Sequence, residues 1–208
     1  FVILEDGLTA ELAGNIGLGF LLVWFGLETV WDIKKSVILP IWLVLPPVLA
    51  GVAYQAVFGL WYIAVAMGAA LLLHLSDKLL IRGAGTALLL GASILAGNWA
   101  LAAGLVLYWA LWEVNIAGGA DALAAYAALM IVPRWEMFGF LLLGIFLWAV
   151  AIMVVVYRGQ LVERWKRMAY RLMLRHLPTE GELNTEGQPT IGGIWIGVLL
   201  FAVWSAVT

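Results

Sequence analysis

Long uncharged apolar runs, each ended by glycine, proline or a small cluster of charges, dominate this chain, and any fold must bury or cover them. The first run covers about residues 10–31 and ends in Asp32-Ile33-Lys34-Lys35. The second, 37–57, carries Pro40 near its start and Pro46-Pro47 inside, which predicts a kink. Phe58-Gly59 turns the chain into a third run, 60–76, closed by Asp77, Lys78 and Arg82. Residues 83–116 then form a stretch too long for one span, and Gly97-Asn98 divides it into 84–96 and 99–113. Either half is short for a full crossing, so a re-entrant hairpin is an alternative. A bend at Gly118-Gly119-Ala120 leads into the run 121–132, and Pro133-Arg134-Trp135-Glu136 forms a turn. Further runs occupy 138–157 and 191–207, on either side of a polar segment, 158–188.

Composition turns this pattern into a fold class. Of 208 residues, 65% are hydrophobic and 12% charged, where a soluble domain carries roughly 25% charge. Mean hydropathy is +1.04. The expectation is an all-α, polytopic membrane bundle of about eight transmembrane helices, or six plus a re-entrant hairpin, forming one domain over 1–208. Placing the N-terminus outside puts ten of the eleven Lys and Arg on the cytoplasmic side, with Arg134 the exception. The expected location is therefore the plasma membrane, with the lipid bilayer as a partner and no nucleic acid. The first charges, Glu5, Asp6 and Glu11, are acidic, so no cleavable signal with a basic start is expected. There is no cysteine, which excludes disulfides, zinc–thiolate sites and thiol nucleophiles.

Within the polar segment, Leu161, Trp165, Met168 and Leu172 share one face of a helix over 160–177, and Arg164, Arg167, Arg171 and Arg175 form another. This predicts an interfacial helix held to anionic lipid, with peptide docking as the alternative. Glu180, Glu182 and Glu186 follow in a solvated loop.

Few residues are placed to do chemistry. Asp121 heads an otherwise uncharged apolar helix, and Asp32 ends another on the same predicted side. Glu28 precedes Asp32 by one helical turn on the same face and could raise its pKa. Two carboxylates held close cannot both ionise, so they could share a water, one acting as general base and the other polarising a carbonyl. Gly118 and Gly119 would let an extended backbone approach Asp121. The bland alternative makes these acids ion-coupling or packing groups in a transporter. Glu113 is expected at an interface. His74, Asp77 and Lys78 are helix neighbours but too few ligands for a metal, so neither metal nor cofactor is expected. Gly83-Ala84-Gly85 lacks the residues of a phosphate loop, and no Ser, His and Asp set is suggested by spacing.

Gly118-Gly119-Ala120-Asp121, heading an Ala/Leu-rich helix, resembles the Gly-x-Gly-Asp signature of type IV prepilin peptidases and archaeal preflagellin peptidases. Asp32-Ile33-Lys34-Lys35, followed by Ile38 and Pro40, is similar to that family's first motif, and Pro189-Thr190-Ile191-Gly192 to its C-terminal segment. The resemblance implies an intramembrane aspartyl endopeptidase with Asp32 and Asp121 as catalytic pair. It would cut basic leaders from type IV pilin-like or archaellin-like precursors at the cytoplasmic face. Ala120 stands where the signature has its second Gly, Pro40 comes one residue late, and the two aspartates lie 89 positions apart. The missing cysteines remove the zinc-binding loop of many bacterial members and the basis for methyltransferase activity. The rivals are a proton-coupled transporter and a non-catalytic assembly protein.

Overall fold

The computed structural model describes residues 7–35, 39–74, 78–113, 118–155 and 191–208. They form an all-α bundle of eight described helices. These are α1 (Gly7–Lys35), α2 (Ile41–Val57), α3 (Trp61–His74), α4 (Leu79–Leu95), α5 (Trp99–Glu113), α6 (Gly119–Ile131), α7 (Trp135–Val155) and α8 (Ile191–Val207).

The breaks between helices follow local chemistry. Gly59 and Gly97 hold φ of +81° and +70°, a backbone conformation that glycine adopts without steric cost, and they end α2 and α4. The side chain of Asn98 accepts the Leu101 N–H at 3.0 Å and so caps the start of α5. Asn98→Ala should lower stability by about 1 kcal/mol, read as a shift in the thermal unfolding midpoint. Pro46 and Pro47 lie inside α2, within its first two turns. Their missing N–H groups leave the carbonyls one turn earlier without a helical donor, and the Leu43 carbonyl accepts the Trp24 indole N–H at 2.7 Å instead.

Helix α6 is the centre of the molecule. Ten of its thirteen residues are buried, and α1, α2, α5, α7 and α8 all pack against it. Its many alanines let the surrounding helices come close. The Gln55 side chain donates from α2 to the Met130 carbonyl near the far end of α6. Helices α3 and α4 pair with one another beside this core. Helices α7 and α8 meet backbone to backbone: a Cβ at Gly197 would lie 2.6 Å from the Phe140 carbonyl oxygen and 2.7 Å from the Leu141 Cα.

The expectation of about eight membrane crossings is corrected. Two described helices contain stretches long and apolar enough to cross a membrane, Leu12–Ile33 and Trp135–Ile152. The other six have 13 to 17 residues. At about 1.5 Å per residue they reach roughly 20–26 Å, short of a ~30 Å hydrocarbon core. Mean hydropathy counts apolar residues but not uninterrupted length, and Pro40, Gly59, Gly97 and Gly118 cut the runs. The multi-pass plasma-membrane placement, with its N-terminus outside, loses its basis with the crossings. The division of 84–113 into two helices at Gly97-Asn98 is observed. The proposed amphipathic helix at 160–177 and acidic loop lie outside the described residues.

Every described helix except α6 turns large apolar side chains outward. Examples are Leu27 on α1, Leu72 on α3, Leu80 and Leu95 on α4, Phe146 on α7 and Val203 on α8. Such a perimeter is more apolar than a monomer in water ordinarily carries.

Candidate functional site: a buried acidic cluster

Helix α1 packs against α6, and the charge of Asp121 in the first turn of α6 reaches Glu28 and Asp32 in the last two turns of α1. Gly118 is the N-cap of α6, with φ −75° and ψ 156°, and Asp121 is its third helical residue. The Asp121 Oδ2 accepts the Gly118 N–H at 2.9 Å. This is half of a capping box, since glycine has no side chain to return the bond, and it places a negative charge at the positive end of the helix dipole. Gly118 is extended, so the bend demands no left-handed glycine, and Ala120 fits as an ordinary helical residue. Gly119 is needed for a different reason. A Cβ there would stand 3.2 Å from the Trp112 Cε2, tighter than ordinary contact. The Arg82 guanidinium packs over the same Trp112 ring, 5.9 Å from its centroid.

Glu28 sits deepest. It is 0% exposed, and among the described residues neither carboxyl oxygen has a hydrogen-bond partner. Burial first, then the negative charge of Asp121 and, less, of Asp32, raises its pKa from 4.5 to about 8, against a lowering by the Trp24 indole. The Trp24 N–H is itself directed to the Leu43 carbonyl at 2.7 Å. Asp32, one turn on and half-buried, is raised from 3.8 to about 6 by burial and by Asp121. Asp121 is 8% exposed. The structure thus brings Glu28, Asp32 and Asp121 within electrostatic reach of one another. Tyr108, on α5, also feels the Asp121 charge, and burial drives its phenol pKa well up.

Other expected site residues fall elsewhere. Lys34 and Lys35 close α1, but their side chains, like that of Glu113, lie outside the described residues, as does Pro189. Sequence reasoning missed Tyr108 and Trp112. In the run 99–113 they read as two more core aromatics, and only the polar atom of Tyr108 could have singled it out. Among the described residues, no three or more His, Asp or Glu side chains form a group that could hold a metal ion.

No family model, no curated protein and no solved structure matches the chain. The resemblance to prepilin and preflagellin peptidases is therefore corrected. It rested on two short motifs, and no matching family, relative or solved structure supports it, nor does any group of acidic or histidine side chains that could hold a metal ion among the described residues. The aspartyl endopeptidase activity and the pilin-like and archaellin-like substrates fall with it. The transporter and assembly readings lose the eight-crossing bundle they assumed, since two described helices contain stretches long and apolar enough to cross a membrane. The fold and site define an α-helical bundle with acids gathered at one end of its central helix.

Proposed function

We propose that the chain is a binding protein for a positively charged organic group, taken by Asp32 and Asp121 with Glu28 as the floor of the site. The observation that carries this reading is Glu28: a carboxyl wholly enclosed, with both oxygens unpaired, beside two further acids. An unpaired buried carboxyl is costly in either protonation state, and a cation that donates hydrogen bonds repairs both the missing bonds and the mutual repulsion. An ammonium or guanidinium suits three acids that do not converge on metal-ligand geometry. Near neutral pH, Glu28 carries a proton, which an arriving cation displaces.

The test is calorimetric titration of the full chain, dispersed in a mild non-ionic detergent, with methylguanidinium and methylammonium chloride. Binding with release of close to one proton near pH 7, read from buffers of differing ionisation enthalpy, is the expected result. Asp32→Asn and Asp121→Asn should each weaken it about tenfold, while far-UV circular dichroism stays unchanged because asparagine can still cap α6. Undiminished binding in both variants would overturn the assignment.

A further inference from the structure

Helix α1, with 29 residues the longest of the described helices, turns one face to the bundle and leaves the other bare. Leu18, Leu21 and Phe25 are buried against the bundle, and a Cβ at Gly17 would run into Ile131. On the opposite side Leu12, Ile16, Val23, Leu27 and Val30 are each at least half exposed. Gly19, exposed among them, has nothing within 4 Å of where its Cβ would stand. Steps of three and four residues join these positions into one uncharged stripe, about 27 Å long at 1.5 Å per residue. Asn15, also exposed, lies one turn from both Leu12 and Gly19 and is the only polar side chain between Glu11 and Trp24.

Helix α7 shows why that amide matters. It too turns a long apolar face outward, through Leu143, Phe146, Val150 and Val154, but no amide, hydroxyl or charged side chain follows Glu136 in it. Any apolar coat serves such a face. On α1, whatever covers the stripe must also offer Asn15 a donor and an acceptor, which hydrocarbon cannot. An asparagine is its own complement, since its amide both donates and accepts, and a two-fold pair sets like residues against each other. We infer that the stripe is a homodimer interface: two copies of the chain pair through α1, parallel and in register, with Asn15 bonded to the partner's Asn15 and the helices closest at Gly19.

Area and packing support the pairing. Five side chains at least half exposed offer on the order of 500 Å² per copy, or roughly 1,000 Å² for the pair, the floor of a specific interface. Glycine weakens a helix relative to alanine, and nothing within one copy requires it at position 19. A second backbone does, because small residues let two helices approach closely. A single polar residue in an apolar seam fixes register and partner number, which is the part Asn15 would play. An antiparallel pair centred on Asn15 would overlap only the first half of α1 and leave Leu27 and Val30 bare.

Because the chain has no cysteine, single cysteines report contacts without background. Substitutions from Asn15→Cys through Val23→Cys, made one at a time in the full chain and oxidised in mild non-ionic detergent, should give linked dimers. The yield should peak at Ile16→Cys, Gly19→Cys and Val23→Cys, where the sulfurs come within bonding reach. Leu18→Cys and Leu21→Cys on the buried side, and Phe146→Cys on α7, should give none. In sedimentation runs wild type should be a dimer that dissociates on dilution. Asn15→Asp should weaken association by at least about tenfold at pH 7, since two carboxylates then meet in apolar surroundings, with far-UV circular dichroism unchanged. Three results would each defeat the inference: a monomer at every concentration, which leaves the face to the detergent coat or to a different protein; linking without this period; or linking at Phe146→Cys in place of Gly19→Cys. Glu28 is buried on the inward side of α1, so pairing and cation binding are measured independently.

Discussion

Gly144→Val is expected to leave α7 and α8 unable to pack, and so to unfold the bundle at or near room temperature. A side chain at Gly144 would meet the Gly193 carbonyl and the Gly197 amide, main-chain atoms that no rotamer change can move aside. The reciprocal positions are as tight: a Cβ at Gly193 would lie 2.7 Å from the Ile145 Cα. Overpacking a core usually costs about 1–3 kcal/mol, and backbone meeting backbone lies at or above the top of that range. Glycine inside a helix is itself unfavourable by roughly 1 kcal/mol against alanine, so three glycines at this crossing are explained by closeness. Gly139→Ala, on the same helix, makes the control: nothing stands within 4 Å of its Cβ. That variant should match or slightly exceed wild-type stability in the same melting experiment.

Stability should fall as pH rises from about 5 to 8, and Glu28→Gln should abolish most of that fall. The folded-state pKa of Glu28 lies above its ordinary value, so the folded chain holds a proton that the unfolded chain releases. The contribution is complete below the ordinary value of 4.5 and is lost as pH climbs through about 8. A displacement of that size corresponds to at most roughly 5 kcal/mol, reduced by any water that enters when the site charges. Asp32 adds a smaller loss with the same sign, between 3.8 and about 6. Thermal midpoints of wild type and Glu28→Gln across this range check the claim. Parallel curves would mean that Glu28 does not titrate in the folded state.

Much of the architecture could be read from punctuation. Gly59, Gly97-Asn98, the Gly118-Gly119 pair and Pro133 each separate two helices. The proximity of Glu28 to Asp32 followed from their spacing by one helical turn. What could not be read depends on lengths and on polar atoms within apolar runs. The run 37–57 yields a helix that starts only after Pro40, and Gly59 and Gly97 each stop a helix before the next begins. Such losses separate a core helix from a membrane span, and average hydropathy does not register them. The short motif at Gly118–Asp121 pointed to peptide chemistry, but its aspartate also caps the helix, a local task that requires no relative or substrate. Tyr108 was hidden because a tyrosine in an apolar run differs from a core phenylalanine by one oxygen, whose neighbours only the fold defines.

The outward-facing leucines and valines of seven helices carry a thermodynamic implication for this protein. Folding removes little of that surface from contact with its surroundings, so those side chains contribute almost nothing to the difference between folded and unfolded chain until something apolar lies against them. Cohesion then rests on the sheath of α1, α2, α5, α7 and α8 around α6, and the outer pair, α3 and α4, depends most on the surrounding medium. A melting temperature measured for this protein is thus a joint property of the polypeptide and its coat, and it should shift with the chain length of the surfactant while the order of the variants stays fixed.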